Sequence, residues 1–577
     1  MPRSPPIQRR FVDLGAHAVH YRRAGRGPCV VLVHQSPQSS AALVQLIRLL
    51  AKDFTVFAFD TPGCGASDPL PRKSPTIRHF ADSLARTFEA VGLKKVGLFG
   101  SKTGACIALE FSRRYPEKVR GLVLDSLPVF TPVQVRGMTS VMRSDDKEGA
   151  YYLMPFKPKW DGSHLASTWS HVRDHVTWFP WYERKAANRR NIDMPWPEAM
   201  HEGVMDNFRA GDDLSTVVEA AFRYKPKKAI AELSVPVVFT AREEDMLFPC
   251  LDMLPALRAR QRIVPLGRDM AAYRAAIQGF LKPFSAGRSP VDPAIGEPPK
   301  KTIRAFADLS SGSQVLLRIR NAGALGRPLV LLHDGPGSGL SLMGLAESLP
   351  CDRPIYVPDI PGNGDSDPLP GKKNEIRTYG TRLIQALGRL DLRSVDLFGR
   401  GSGAAVALAI TVARPSFVHR LILHDLPLLT AVERARFSQD YTPPIEPTWD
   451  GGHLYKAWLM LRDDQIYWPW FDRRSRTIRP IDFEGNPGQL HERLFEVLKA
   501  RRSYGQTTQA AFRYQTHANL KRVACPTLMI ERDGDAFAGR HEPVVSNLQV
   551  ITTATIDRSE TSFKQEVESF LEPGCRV

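Results

Sequence analysis

At 577 residues, with a net charge of +17 and 43% hydrophobic residues, the chain is too long for one hydrophobic core, and two domains of ~280 residues each are expected. The seven scattered cysteines argue against a disulfide framework or a zinc site, and the densest basic run, 225–228, lacks the interleaved aromatic residues of a nucleic-acid platform. Residues 1–10 lack the apolar core of a signal peptide and no run approaches ~18 apolar residues, so we expect a cytoplasmic protein without a nucleic-acid or membrane partner.

Short apolar runs in the first half predict strands that are buried on both faces of a sheet. These runs are 28–33, 56–59, 96–99 and 122–124. The third leads into a glycine-flanked turn at 100–104, and residues 105–114 follow with a helical pattern. Strands that alternate with helices imply right-handed crossovers and a doubly wound, mostly parallel sheet. Ligands bind beyond the carboxyl ends of such strands, where the 100–104 turn is expected.

The second half of the chain repeats the first. Three features recur 299 positions later: His34 corresponds to His333, 60–68 corresponds to 359–367, and 98–100 corresponds to 397–399. Further along, the spacing falls to 289 for Trp160 and to 290 for Ala221. A constant offset with one such change indicates duplication of a whole domain. We therefore predict domain 1 at 1–285, a Pro/Gly/Ser/Lys-rich linker at 286–301 and domain 2 at 302–577.

The repeated motifs carry a family resemblance. A strand followed by a histidine loop, an Asp-x-Pro-Gly-x-Gly-x-Ser-Asp segment, a strand–Gly-x-x-x-Gly–helix turn and a late strand ending in an acid occur in this order in both halves. This set resembles the α/β-hydrolase superfamily. The resemblance implies an α/β fold with two tandem doubly wound, mostly parallel sheets, each with an inserted helical cap, at about 130–230 and about 430–520. Because many single-domain relatives with such caps pair as dimers, it also implies an intramolecular pseudo-dimer of the two halves.

Neither half carries the Ser–His–acid triad at the positions that the resemblance implies. The nucleophile positions, in the middle of the Gly-x-x-x-Gly turn, hold Lys102 and Gly401, and the acid positions hold Asp245 and Asp535. The loops in which a histidine is expected hold an arginine instead. An arginine stays protonated at neutral pH and is a poor general base. The usual triad mechanism is therefore not expected in either half.

Lys102 is the candidate reactive group. Its expected position, buried under a cap at a helix N-terminus, disfavours an ammonium, and a neutral lysine acts as a general base or a Schiff-base nucleophile. Backbone N–H groups after Lys102 and in the 34–36 loop can supply an oxyanion hole. The alternative is that Lys102 pairs with an acid such as Asp245 or Asp125 and holds a non-catalytic pocket closed.

The candidate site residues form two sets. The candidate catalytic residues are Lys102, Asp245 and His34. The first-half histidines with counterparts in the second half, which are candidates for a displaced acid or base, are His34, His164 and His201, although packing alone explains such a match. The residues expected to bind substrate are Gln35, Ser36, Ser101, Thr103, His164, Trp181 and His201.

The sequence favours an enzyme, a hydrolase or lyase acting on a small carbonyl-containing molecule such as an ester, a lactone or a compound with a cleavable C–C bond. The first half is the expected location, because Lys102 is reactive and Gly401 is not. The basic charge would attract an anionic substrate. No metal-ligand cluster or dinucleotide fingerprint is present in the sequence, so no cofactor is expected. The alternative is a non-catalytic ligand-binding or scaffold protein, which the missing histidines favour.

Overall fold

A computed structural model describes residues 5–142, 157–211, 213–284, 302–350, 352–371, 374–482 and 485–571. The described residues form two compact units, one mainly from each half of the chain. The predicted linker at 286–301 lies outside the described residues, as does 143–156 within the predicted first cap. Within the described ranges, no helix combines the length and the apolar character needed to cross a bilayer.

An eight-stranded mixed sheet forms the centre of the first unit, as far as it is described. Its strands are β1 (Gln8–Asp13), β2 (Ala18–Ala24), β3 (Cys29–Val33), β4 (Thr55–Phe59), β5 (Val96–Ser101), β6 (Val119–Asp125), β7 (Val237–Arg242) and β8 (Gln261–Leu266). They are arranged in the order β1-β2-β4-β3-β5-β6-β7-β8. The pairs β1–β2 and β2–β4 are antiparallel, and the remaining neighbours are parallel. The predicted mostly parallel sheet is confirmed.

Helices cover both faces of this sheet. They are α1 (Val44–Leu50), α2 (Ile77–Val91), α3 (Thr103–Arg114), α4 (Pro132–Met142), α5 (Ser163–Thr177), α6 (Pro197–Ala210), α7 (Asp213–Arg223), α8 (Pro226–Ala231) and α9 (Met270–Leu281). Alternate residues of β3 point to opposite faces: Val31 and Val33 belong to the core under α2 and α3, whereas Val30 and Leu32 belong to the core under α1 and α9. Helices α4 to α8 lie between β6 and β7, where the first cap was predicted.

The second unit has the same topology. Its strands are β9 (Ile303–Asp308), β10 (Gln314–Arg320), β11 (Leu329–Leu332), β12 (Ile355–Pro358), β13 (Val395–Arg400), β14 (Val418–His424), β15 (Thr527–Arg532) and β16 (Ile551–Ile556). Its helices are α10 (Met343–Ser348), α11 (Ile376–Gly388), α12 (Ser402–Ala413), α13 (Ala431–Asp440), α14 (Gly452–Ile466), α15 (Pro487–Lys499), α16 (Gln506–Arg513), α17 (Thr516–Leu520), α18 (Glu542–Val545) and α19 (Glu560–Leu571). The strand order β16-β15-β14-β13-β11-β12-β10-β9 matches the first sheet, and α13 to α17 fall between β14 and β15.

The helix after the central strand packs very closely against the sheet in the first unit. Residues 103–112 of α3 are all buried. A Cβ atom added at Gly104 would lie 2.4 Å from the carbonyl oxygens of both Val33 and His34, so only glycine permits this approach. The first turn of α3 is thereby held beside the loop that follows β3. This arrangement brings the predicted 34–36 loop and the predicted 100–104 turn together.

Candidate active site

The turn from β5 into α3 has a backbone conformation that L-amino acids rarely adopt. Lys102, the residue between the two elements, has φ 49° and ψ −112°, and Gly401 has φ 55° and ψ −123° at the matching place in the second unit. The Lys102 N–H donates to the Asp125 carbonyl at 2.9 Å, which anchors the turn to the end of β6. A non-glycine residue in such a conformation costs about 1–3 kcal/mol. The first unit therefore carries backbone strain that glycine relieves in the second.

The side chain of Lys102 forms an ion pair with Asp245. The Lys102 Nζ lies 3.0 Å from Asp245 Oδ2, and the two side chains are 19% and 10% exposed. Asp245 follows β7, and its Oδ1 accepts the Leu247 N–H at 2.9 Å. Burial raises the pKa of Asp245, but the Lys102 charge and these hydrogen bonds outweigh burial and bring the pKa below its ordinary value. Asp245 is therefore ionised at neutral pH, and Lys102 beside it is an ammonium.

Further titratable groups surround this pair. Asp125 Oδ2 accepts the Ser101 hydroxyl at 2.8 Å, and burial, assisted by the charge of Asp245, raises the pKa of Asp125 to about 6. On the cap side, burial lowers the pKa of His175 to about 3, with the positive charge of Lys102 acting in the same direction. The resting site thus combines an ammonium, an ionised carboxylate, a carboxyl group that titrates near pH 6 and a neutral imidazole.

The start of α3 provides a hydrogen-bond donor beside Lys102. Within the described part of the chain, the backbone N–H of Thr103 has no acceptor, and it lies at the N-terminus of a buried helix. The Thr103 hydroxyl accepts the Ser36 N–H at 2.6 Å and donates to the Ser36 hydroxyl at 3.1 Å. Ser36 and Thr103 therefore link the two loops predicted to form an oxyanion hole, with the Thr103 N–H as the open donor.

His34 makes hydrogen bonds to backbone groups through both ring nitrogens. Its Nδ1 contacts the Gln35 carbonyl at 2.9 Å, and its Nε2 accepts the Thr61 N–H at 2.9 Å. This pattern assigns the proton to Nδ1, because Nε2 must be an acceptor. His333 has the same two contacts in the second unit, with the Asp334 carbonyl and the Ile360 N–H. His34 therefore holds two loops together and does not belong to the Lys102–Asp245 pair.

The remaining predicted binding residues lie in different surroundings. The Gln35 side chain donates to Gln38 at 2.5 Å. Trp181 is buried in the cap, and its ring centroid lies 5.9 Å from that of His175, which places Trp181 on the His175 side of the site. His164 on α5 and His201 on α6 are buried within the cap helices. These contacts place Trp181 next to the Lys102 neighbourhood and the two histidines in the packing of the cap.

In the second unit, a carboxylate occupies the matching pair of backbone donors. Asp334 Oδ1 accepts the Ser402 N–H at 2.7 Å, the Gly335 N–H at 2.8 Å and the Ser402 hydroxyl at 3.0 Å. A Cβ atom added at Gly401 would lie 2.2 Å from the Asp334 carboxyl carbon. Asp334 therefore fills the space in which a side chain at position 401 would begin, and it matches the neutral Gln35 of the first unit.

A cavity of about 790 Å³ opens above this carboxylate within the second unit. Asp334, Arg400, Gly401 and Asp425 line its base. Burial raises the pKa of Asp425 to about 7, with the negative charges of Asp535 and Asp334 acting in the same direction. The aromatic residues in its lining are Tyr441, Trp468, Phe495, Phe512 and Phe537. A concave space with an aromatic wall and many charged groups of both signs has the form of a site for a small charged molecule.

The predicted acid Asp535 pairs with a histidine from another strand. Asp535 Oδ2 lies 3.0 Å from His424 Nε2 at the end of β14, the position that Asp125 takes in the first unit. Burial lowers the pKa of His424 to about 4, against the contact with Asp535. His424 is therefore neutral at pH 7. The second unit has a histidine–aspartate pair next to its central turn, but Gly401 supplies no nucleophile for it.

Four residues of the two sites are not indicated by the sequence motifs: His175, Asp334, Arg400 and His424. Arg400 and His424 end neighbouring parallel strands, and the carboxyl ends of such strands meet at one edge of a sheet, so polar residues there were a usable signal. Asp334 directly follows His333, which the repeat had identified. His175 lies on a cap helix, and no pattern in the sequence connects it with the turn.

Each half of the chain matches a model of a known protein family. A family model described as the alpha/beta hydrolase fold matches residues 28–265, and one described as the alpha/beta hydrolase family matches residues 329–562. A soluble epoxide hydrolase from Corynebacterium sp. is 33% identical over 126 residues, 22% of this chain and 44% of that protein. A cis-3-alkyl-4-alkyloxetan-2-one decarboxylase from Shewanella oneidensis is 29% identical over 123 residues, 21% and 38% of the two chains.

The chain thus spans less than half the length of these curated relatives. Among solved structures, E-2-(acetamidomethylene)succinate hydrolase is 18% identical, with a TM-score of 0.36, and the match covers 48% of this chain and 98% of that one. The two family models together match most of the sequence. The chain therefore belongs to the α/β-hydrolase superfamily and contains two such domains in tandem.

Proposed function

We propose that the protein is a cofactor-independent lyase or hydrolase for a small carbonyl compound, with its reactive centre at Lys102. The observation that carries this proposal is a lysine held in a strained turn, with its Nζ 3.0 Å from Asp245, next in sequence to Thr103, whose backbone N–H has no acceptor among the described residues. Backbone strain at a charged residue is a pointer to function, because a merely structural turn is satisfied by glycine, as at Gly401.

The charge state of the site favours a particular chemistry. Lys102 is an ammonium, and Asp245 is ionised and hence a weak base, so the site is better suited to stabilising negative charge than to activating a nucleophile. The Lys102 ammonium and the Thr103 N–H both favour an oxyanion at the start of α3. Cleavage of a C–C bond next to a carbonyl, with the electron pair passing to the carbonyl oxygen, requires this stabilisation and no attacking side chain.

Decarboxylation of a β-keto acid is the simplest reaction of this kind. The bond to the carboxylate breaks, carbon dioxide leaves, and the enolate oxygen is stabilised by the Thr103 N–H and the Lys102 ammonium. Lys102 then donates a proton to the enolate carbon and recovers one from water. An anionic substrate also agrees with the net charge of +17, which draws anions to the protein. Likeness over short segments to proteins named as a decarboxylase and an epoxide hydrolase supports this range of reactions.

The test is a substrate panel with the full-length protein. Benzoylacetate represents β-keto acids, p-nitrophenyl acetate represents esters, and γ-butyrolactone represents lactones. Lys102→Met keeps much of the side-chain volume and removes the charge, and we expect it to lower kcat/KM at least ~100-fold for any substrate that is turned over. Lys102→Arg keeps the charge and should retain part of the activity. Lys52→Met, at an exposed lysine outside the site, is the matched control and should leave the activity unchanged.

Turnover that survives Lys102→Met at the wild-type rate would overturn the proposal. A larger loss with the ester than with the β-keto acid would move the assignment from lyase to hydrolase. Because an uncharged side chain at 102 leaves Asp245 without its partner, a melting curve of each variant is needed to show that it is folded.

A non-catalytic ligand-binding protein is the second candidate. The observation that favours it is the Lys102–Asp245 ion pair itself, since this contact satisfies both groups without a substrate. The two functions differ in a simple measurement. Absence of turnover across the panel, together with an increase in melting temperature on addition of benzoylacetate, would support binding without catalysis.

A further inference from the structure

The second unit differs from the first in the charge at the paired backbone donors. The Ser402 and Gly335 N–H groups, which would stabilise an oxyanion, already bind Asp334 Oδ1. A ligand carboxylate or carbonyl oxygen is therefore excluded from this position by both occupancy and charge. The other oxygen of Asp334 accepts no hydrogen bond from any described residue, and the side chain lines the cavity. This oxygen is available to a donor group of a ligand, and a cation is the donor that it favours most.

Arg400 supplies the complementary charge. The arginines of the cavity lining that donate to protein acceptors are Arg479, Arg493, Arg532 and Arg558. For Arg400, no hydrogen-bond or ion-pair partner is found among the described residues, and its side chain is exposed in the cavity next to Gly401. A guanidinium in such a position matches a carboxylate in a bidentate way. Among the described residues, the base of the cavity thus presents an unpaired oxygen of Asp334 and the unpaired guanidinium of Arg400, beside the carboxyl group of Asp425.

The surroundings of these charges indicate a ligand with an apolar part. Tyr441, Trp468 and Phe537 line the cavity, and the Trp468 ring centroid lies 5.6 Å from that of each of the other two. Thr508 also lines the cavity beside Gly335, and its buried hydroxyl, in a residue only 2% exposed, has no hydrogen-bond partner in the described structure. A buried hydroxyl without a partner is costly, and a bound ligand would satisfy it.

We propose that the second unit binds a small zwitterion of the amino-acid type, with its ammonium on Asp334, its carboxylate on Arg400 and its side chain against the aromatic wall. This site is separate from the Lys102 centre, and it does not depend on that centre being catalytic. The carboxylate of Asp334 sets the selectivity, because it converts a site for oxyanions into a site for ammonium groups.

Three related probes test the assignment by calorimetric titration of the full-length protein. L-phenylalanine carries both charges, phenethylamine carries the ammonium alone and 3-phenylpropionate carries the carboxylate alone. We expect wild type to bind L-phenylalanine at least ~10-fold more tightly than either of the others, since each lacks one ionic contact. Lys102→Ala should bind L-phenylalanine as wild type does, which excludes the Lys102 centre as the binding site of this probe.

Two substitutions of Asp334 separate charge from shape. Asp334→Asn keeps the acceptor oxygen for the two N–H groups and should weaken L-phenylalanine binding at least ~10-fold. Asp334→Ala frees the Ser402 N–H, while the Gly335 N–H keeps the Ser402 hydroxyl as its acceptor. The affinity for 3-phenylpropionate should therefore rise at least ~10-fold, while phenethylamine loses affinity. Arg400→Gln should bring L-phenylalanine down to the affinity of phenethylamine. If Asp334→Ala fails to fold, Asp334→Asn and Arg400→Gln still decide the question.

The decisive result is a reversed ligand preference in Asp334→Ala, in which 3-phenylpropionate gains affinity and phenethylamine loses it. The proposal fails if 3-phenylpropionate binds wild type as tightly as L-phenylalanine does. It also fails if the substitutions at Asp334 and Arg400 leave all affinities unchanged, or if none of the three probes binds to wild type at millimolar concentration.

Discussion

Substitution of Gly401 by alanine provides the sharpest test of the second central turn. Gly401 has φ 55°, and an added Cβ atom would lie 2.2 Å from the Asp334 carboxyl carbon. Alanine therefore introduces both backbone strain and a collision. The carboxylate has to move, and it loses hydrogen bonds from the Ser402 and Gly335 N–H groups when it does so.

The backbone strain and the lost hydrogen bond contribute separately to the free energy cost of this substitution. An L-residue in a left-handed conformation costs about 1–2 kcal/mol. Loss of a hydrogen bond to a charged group costs about 1.5–3 kcal/mol. Only the bond from the Ser402 N–H counts, because the Gly335 N–H keeps the Ser402 hydroxyl as an acceptor. Gly401→Ala should therefore cost about 2.5–5 kcal/mol. For a domain of this size, the corresponding fall in melting temperature is about 10 °C.

Calorimetry of the full-length protein measures this change, with each unfolding transition compared separately because a two-domain chain need not unfold in one step. The first unit contains its own control, since Lys102→Gly and Lys102→Ala both remove the ion pair and differ only in backbone strain at φ 49°. The glycine variant should be the more stable by about 1–2 kcal/mol.

A double substitution isolates the collision. In an Asp334→Ala background, Gly401→Ala should cost only the free energy of the backbone strain. The coupling free energy between the two substitutions should therefore be about 2 kcal/mol. Equal costs of Gly401→Ala with and without Asp334 would refute the reasoning, because they would mean that the carboxylate does not occupy this space.

Three further predictions follow from the geometry of the two units. His34→Ala and His333→Ala should each lower the free energy of unfolding in urea by about 1–3 kcal/mol, because each leaves a buried backbone N–H without its acceptor. A much smaller loss would disprove the loop-anchoring role. The pKa of His175 is about 3 in the folded protein, below its value in the unfolded chain, so the unfolded chain takes up the proton first. The free energy of unfolding therefore falls as the pH drops from about 6.5 towards 3. His175→Asn should remove about 2 kcal/mol of the loss between pH 7 and pH 5, as measured by melting curves. Asp245→Asn should lower the free energy of unfolding by about 1–2 kcal/mol in wild type and by nearly nothing in a Lys102→Ala background. Equal losses in the two backgrounds would show that the ion pair contributes no stability.

Much of the fold was predictable because its strands are buried on both faces. The runs at 28–33 and 56–59 correspond to Cys29–Val33 and Thr55–Phe59, whose residues are all buried. The run at 122–124 predicts only the middle of Val119–Asp125, since an exposed arginine is the second residue of that strand and a polar residue at the site ends it. Strands β1 and β2, at the antiparallel edge, mix polar and apolar residues and gave no continuous apolar run.

The site was less predictable because its charges meet only through the fold. The sequence left Asp245 and Asp125 open as partners of Lys102, and the 3.0 Å contact with Asp245 decides between them, while Asp125 accepts a hydrogen bond from Ser101 instead. The hypothesis of a neutral, nucleophilic lysine considered the helix N-terminus and burial but not the carboxylate, which is the nearest charge. Asp334 escaped notice because its counterpart, Gln35, is neutral, so the repeat did not draw attention to the position.

The two units place opposite charges at the same point of the same turn, and this difference has a consequence for function. Both have a backbone N–H at the start of the central helix, from Thr103 in one and Ser402 in the other. The first unit has the cation of Lys102 in this turn and the neutral Gln35 in the neighbouring loop. The second unit has Gly401, which has no side chain, and the carboxylate of Asp334. At short range in a partly buried pocket, a change in the sign of the charge outweighs most differences in shape. One ligand group cannot therefore suit both turns, and duplication of the fold did not produce two copies of one site.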